Sequence, residues 1–353
     1  NEIAPQVNEH AISWLKANAR KDNWFLHINY WDPHRPYRTP MEYGNPFENE
    51  PGVDWLTHEI IDEQRRMYGP RSAREPQGFQ PDSRWPREPR EIRDPADFKQ
   101  WIDGYDTAIR YMDDHIGQVL AELDSQGVLD ETVVIFSGDH GENQGELNVY
   151  GDHHTADEYT CHVSMVIRWP GVTRPGSTCD ALLYQLDLAP TLCEMLKIPT
   201  PSGWDGRSFA PALCGQTFAG RDHVVLSHGA WSCQRAVLKW PYIMIRTYHT
   251  GLHEWPDIML FDLATDPHEV NNLAAARPDV VRQCEHLLSH WWAEQVRKPG
   301  TTADPMLHVI QEGGPLYVRD QVESYAATLR RNNRQAEAAR MLERMKAYPV
   351  FRP

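Results

Sequence analysis

An aspartate and a histidine stand side by side, Asp139 and His140, separated by two residues from the β-branched apolar run from Thr132 to Phe136. A carboxylate oxygen and an imidazole nitrogen so placed can share one divalent ion, and Gly141 lets the backbone turn sharply beside them. A strand this apolar reads as buried on both faces. The pair therefore falls where the strand leaves a sheet, at the edge where α/β folds bind their ligands. A second apolar run, Phe25 to Tyr30, leads into Asp32-Pro33-His34-Arg35-Pro36-Tyr37, where prolines restrain the backbone on either side of His34 and Arg35. Such a loop can hold an imidazole still.

The elements that must position these groups follow from periodicity. Residues 4 to 20 read as a helix leading to a strand at 24 to 30. Phe98, Ile102, Tyr105, Ile109, Met112, Ile116, Val119 and Leu123 recur at helical spacing, so 96 to 126 is a long amphipathic helix. Gly127 ends it, and Asp113 and Asp114 fall on its solvated face. Strands at 132 to 137 and 163 to 169 and a helix from Leu182 to Leu196 complete an alternation that implies a mostly parallel central sheet flanked by helices, an α/β fold. After about residue 216 the rhythm changes to short strands near 223 to 228, 234 to 239, 241 to 247 and 258 to 262, which suggests a smaller antiparallel sheet, and Val318 to Met345 reads as a closing helix. The expected organisation is a large α/β region over 1–215 and a C-terminal subdomain over 216–353. Residues 38–95, rich in proline, glycine and arginine and without sustained period, read as a lid or rim insertion that Trp55, Tyr68, Phe79 and Trp85 could pack.

Composition narrows the partners. The net charge of −15 comes from 50 acids against 35 bases scattered along the chain, which disfavours nucleic acid and anionic membranes. No apolar run approaches the roughly 20 residues of a membrane span. The six cysteines are far apart with no Cys-x-x-Cys pair, so neither a zinc knuckle nor a disulfide scaffold is indicated, and a reducing, cytoplasmic compartment is the expectation. Export stays open, because the start at Asn1 is not taken as the true N-terminus.

Five segments in order resemble the sulfatase family of the alkaline phosphatase superfamily: Asp32 to Tyr37, the helix Tyr105 to Asp113, Ser137 to Glu142, His162 to Gly171 and Leu260 to Leu273. Two local departures are a glycine between Ser137 and the Asp-His pair, and Ser164 where the family usually has proline. The resemblance implies an alkaline-phosphatase-like fold and hydrolysis of a small-molecule or sugar sulfate ester. It implies Asp139 and His140 as metal ligands, and His34, His153 and His154 as catalytic groups that bind sulfate or protonate the leaving oxygen. His153 falls closest to the place where many sulfatases carry a lysine, and His154 is its neighbour. Arg35 and Tyr37 are substrate-binding candidates; Trp31, His228 and Trp231 are pocket-lining candidates expected chiefly to pack. Calcium is the first guess for the metal, with manganese and magnesium as alternatives, because carboxylate plus imidazole does not fix the ion.

The family's nucleophile motif, Cys or Ser followed two residues later by proline and then by arginine, has no counterpart here: no Cys or Ser in the 353 residues has proline two positions on. The formylglycine nucleophile and the family's N-terminal aspartate pair are therefore expected on a missing N-terminal segment or another chain, leaving this chain alone inactive. Three readings stay open: a sulfatase, a phosphonate monoester or phosphodiester hydrolase of the same superfamily, and a non-catalytic sulfatase-like binding subunit. An oligomer is compatible with each.

Overall fold

The computed structural model describes residues 4–78, 87–301 and 303–348. Helix α1 (Ala4–Asn18) lies along α3 (Pro95–Ser125), and Leu15 and Ala11 pack on Val119 and Leu123. Asp94 caps α3 by accepting from the Ala96 and Asp97 amides, with Pro95 in the first turn. Gly127, at φ +72°, closes it, and the Val128 amide reaches back to Leu123 O, as a left-handed helix terminus requires. Asp113 and Asp114 are exposed, and Asp114 pairs with Arg110.

Residues 24 to 30 run extended, with Trp24, Leu26 and Ile28 packed against α1 and α3, but they join no ladder. Phe25, on the other face, is 85% exposed. Among the described residues, strand β1 (Val134–Ser137) pairs with β4 (Met165–Arg168) alone, antiparallel, with Phe136 opposite Val166. This corrects the expectation that β1 is buried on both faces: both residues of that cross-strand pair are exposed, because among the described residues no layer covers that side of the ladder. A parallel ladder, expected for the central sheet, is absent among the described residues.

Helix α2 (His58–Gln64) lies within the irregular stretch that follows, where Leu56, Ile61, Ala73 and Ile92 pack on Phe98 and Trp101. Trp55 meets Phe98 edge to face and Tyr68 is buried; Phe79 and Trp85 lie outside the described residues. A short hairpin of β2 (Asn143–Gln144) and β3 (Tyr150–Asp152) follows β1, then α4 (Glu158–Cys161). After β4 come α5 (Leu188–Met195) and α6 (Ala210–Leu213).

The strands β5 (Val224–His228), β6 (Cys233–Lys239), β7 (Tyr242–His249) and β8 (Ile258–Asp262) form an antiparallel meander. One face packs Val237, Met244 and Leu260 on α7 (Pro278–Gln295) through Val281, Cys284 and Leu288. The other buries Ala236, Ile245 and Phe261 with Trp255, Val149 and Ala156, which ties this sheet to the loops after β1. Helix α8 (Pro305–Gln311) precedes the C-terminal helices. The single helix expected from Val318 to Met345 is two, α9 (Val322–Arg331) and α10 (Gln335–Met345). Asn333 at φ +59° breaks it, a conformation asparagine tolerates better than most residues, and Arg334 turns inward to Glu75 at 2.6 Å.

Candidate active site

A cavity of about 190 Å³ opens beside the end of β1, lined by His34, Arg35, Arg71, Glu88, His140, Glu142, Asp152 and His153 among others. Four segments meet there: the proline-restrained turn around His34, the irregular stretch that carries Arg71, Gln77 and Glu88, the turn after β1, and the end of β3.

The three imidazoles share one arrangement. His34 Nδ1 lies 2.5 Å from the Arg35 carbonyl, His140 Nδ1 lies 2.8 Å from the Gly141 carbonyl, and His153 Nδ1 lies 3.1 Å from Asp152 Oδ1. Carbonyl and carboxylate oxygens only accept, so each Nδ1 carries the proton and each Nε2 is left for another partner. The rings of His140 and His153 stack with centroids 3.9 Å apart. Burial pushes the His34 imidazole below its ordinary value, more than its bond to Arg35 O raises it. An anion beside it works the other way, favouring the imidazolium donor.

Asp139 lies at the mouth, its side chain 91% exposed, with Oδ2 3.9 Å from His140 Nε2. Asp139 Oδ1 accepts the His140 amide at 3.0 Å, which leaves Asp139 Oδ2 and His140 Nε2 as an oxygen–nitrogen pair that fits a divalent ion as part of its coordination shell. Among the described residues no group of three or more His, Cys, Asp or Glu completes such a shell. Gly141 is required by close approach: a Cβ there would stand 1.9 Å from the Tyr159 carbonyl. Gly151, at φ +64°, makes room in the same way, since a Cβ would meet Arg35 Cδ at 2.2 Å.

Arg35 is 7% exposed, ion-paired with Glu88 and held over the Trp101 ring at 5.0 Å. Burial and the nearby Asp152 push the Glu142 carboxyl up to about 8, against the pull of Arg35. Burial pushes Asp152 upward too, yet His154, hydrogen bonds from His153 and the Arg71 guanidinium hold it well below the usual carboxylate range.

The structure separates the predicted residues. His34, Arg35, His140 and His153 line the cavity, with Asp139 at its edge. His154 does not. Fully buried, it bonds His253 Nε2 at 2.8 Å and stacks on Trp231, so consecutive side chains point to opposite sides of the wall. Tyr37 is 2% exposed within the core beside Trp101 and reaches Glu142 only at 3.5 Å, which removes it from substrate contact. Trp31 packs on the His34 ring, and His228 sits behind His153 with its imidazole pushed down to about 3 by burial. Sequence reasoning missed Arg71, Gln77, Glu88, Glu142 and Asp152. Asp152 precedes His153 directly and Glu142 follows the Asp-His pair, a proximity that could have drawn notice; Arg71, Gln77 and Glu88 sit in the aperiodic stretch and carry no local signal.

Comparison with known proteins gives this constellation a context. The Sulfatase family model matches residues 6–198, and the model for the C-terminal part of N-sulphoglucosamine sulphohydrolase matches 145–292. An N-acetylgalactosamine-6-O-sulfatase of Bacteroides thetaiotaomicron is 27% identical over 205 residues, 51% of this chain and 40% of that protein. A multifunctional alkaline phosphatase superfamily protein, PehA of Trinickia caryophylli, is 27% identical over 304 residues, 75% of this chain and 54% of that one. Among solved structures, one determined in complex with its substrate D-glucosamine-2-N,6-O-disulfate superposes with a TM-score of 0.67 at 17% identity, covering 85% of this chain and 71% of that one. A phosphonate monoester hydrolase from Silicibacter pomeroyi gives 0.63 at 20% identity, covering 86% and 61%. These neighbours establish the alkaline-phosphatase-like fold, and the chain spans about half the length of the first two curated relatives. With the Sulfatase model matching over more than half its length, this chain belongs to the sulfatase family.

Proposed function

We propose that this chain supplies the leaving-group and metal side of a sulfuric ester hydrolase acting on sulfated small molecules or sugars. The observation that carries the reading is the convergence of His34, His140 and His153 on one cavity, each tethered through Nδ1, with Arg35 between them. Sulfuryl transfer spreads negative charge over equatorial oxygens, and fixed cationic donors stabilise it where it grows. His34 and His153 would bind the sulfate or give a proton to the departing oxygen. Asp139 and His140 would hold a divalent ion, calcium first and manganese or magnesium next, which when bound supplies Lewis-acid stabilisation of that charge. The sugar ester reading is supported by the names of the sulfatase relatives.

The nucleophile, a formylglycine by family, is proposed to come from polypeptide outside these 353 residues, whether an N-terminal segment or another chain. Two features support this: the sequence lacks the nucleophile motif, and the exposed Phe136–Val166 pair offers an apolar strand surface for more polypeptide. The six free thiols, two of them exposed, support a reducing, cytoplasmic location. Among the described residues no helix is long and apolar enough to cross a membrane.

The test is a pair of matched aryl substrates given to the polypeptide that includes the nucleophile. Higher kcat/KM on the sulfate monoester supports the sulfatase reading. Preference for the phosphonate monoester or phosphate diester replaces it with the second superfamily activity. No turnover of either, with retained ligand binding, favours a binding subunit.

A further inference from the structure

We propose that Asp152 is a positioning residue that fixes the tautomer and aim of His153, and that Arg71 holds Asp152 for that task. Asp152 ends β3, where its Oδ1 accepts the His153 backbone amide at 2.9 Å and lies 3.1 Å from His153 Nδ1, within ion-pair range. A carboxylate oxygen held by the amide and standing this close to Nδ1 of the same residue restricts the ring, and the stack on His140 restricts it further. Because a carboxylate only accepts, the Nδ1 proton is specified and the Nε2 lone pair is the one presented for chemistry. The other oxygen, Oδ2, accepts from Arg71 Nε at 3.2 Å and lies 3.4 Å from His154 Nε2.

Arg71 is itself unusual. It adopts φ +65°, a left-handed conformation that costs a non-glycine residue energy and persists only where its surroundings hold it. Its carbonyl accepts the Tyr150 amide at 2.8 Å, two residues before Asp152 in β3, so backbone and side chain both tie Arg71 to the strand that carries Asp152. Gly151 gives the clearance, Asp152 the orientation and His153 the reactive nitrogen. An aspartate on Nδ1 also stabilises the imidazolium whenever Nε2 takes a proton, and exchanging such an aspartate for asparagine is costly because it favours the wrong tautomer.

The catalytic meaning rests on the hydrolase reading above; the tautomer does not. Long-range proton–nitrogen NMR of the histidine-labelled chain, with His153→Gln to assign the signal, tests it. The expected result is an Nδ1-protonated neutral His153 in the unmodified chain and a shift toward the Nε2-protonated form in Asp152→Ala, with His34 unchanged because a carbonyl holds it. An Nε2-protonated His153 in the unmodified chain overturns the proposal without any variant, as does an unaltered His153 in Asp152→Ala. In the complete enzyme, Asp152→Asn should lower kcat by about 10²–10⁴-fold with KM little changed; a change confined to KM overturns the role. The expected tautomer in an enzyme that turns over no ester would sink the hydrolase reading and leave this geometry standing.

Discussion

The β5–β8 sheet and the β1–β4 ladder are both built from strands with apolar runs, yet they have opposite environments. Six of the seven residues of β6 are buried, whereas β1 grades from half-buried at Val134 to exposed at Phe136 and Ser137. The difference lies in the covering layers. Helix α7 packs one face of the meander and Trp255 with the loops after β1 packs the other, while among the described residues β1 and β4 have each other alone as ladder partners. Apolar sequence alone therefore does not measure burial. The covered sheet supplies stability, and the open ladder ends in the groups that can do chemistry.

The largest expected effect belongs to the open side. Asp139→Ala should abolish divalent-ion binding and lower turnover of the complete enzyme by about 10³-fold or more, yet barely move the melting temperature, because the side chain is 91% exposed. Calorimetry and kinetics on one preparation check both halves; a large loss of stability would break the division of labour. On the covered side, Leu260 of β8 is fully buried against α7, so Leu260→Ala should cost about 2–5 kcal/mol in chemical denaturation. A cost near zero would mean that the meander is not the stabilising layer.

Acid should reach the meander next. Burial pushes the His249 imidazole, at the end of β7 and stacked on Tyr348, down to about 4. The unfolded chain takes up that proton near pH 6.5 and the folded one does not, so this contribution is intact above about 6.5 and is lost progressively as pH falls toward 4, roughly 3 kcal/mol in all. His249→Gln should flatten the decline of melting temperature across that interval, and an unchanged slope would exclude the residue. The smallest effect returns to the ladder: Phe136→Ser, at a position 39% exposed, should change the stability of this chain by about 0.5 kcal/mol or less. A loss comparable to that of Leu260→Ala would show that the ladder is covered after all.

Legibility in the sequence followed the same division. The four strands of the meander were found within one or two residues, since their apolar runs are local and separated by turns. Helix α7 was missed even though Val281, Cys284 and Leu288 carry its spacing. His34, His140 and His153 were legible because each sits at the end of an element, where composition changes abruptly. His153 could not be told from His154, since only the fold decides which of two neighbours faces the cavity. Arg35 was placed by its loop, but its partner Glu88 is 53 residues away, and Asp152 is 81 residues from Arg71. Such pairings leave no period.

The most direct test of the account is anomalous diffraction from crystals of the nucleophile-bearing polypeptide grown with manganese and sulfate. A metal peak bonded to Asp139 and His140 Nε2 is expected, with sulfate oxygens within hydrogen-bond distance of Nε2 of both His34 and His153. A metal bound elsewhere, or sulfate seated away from those two imidazoles, would contradict it.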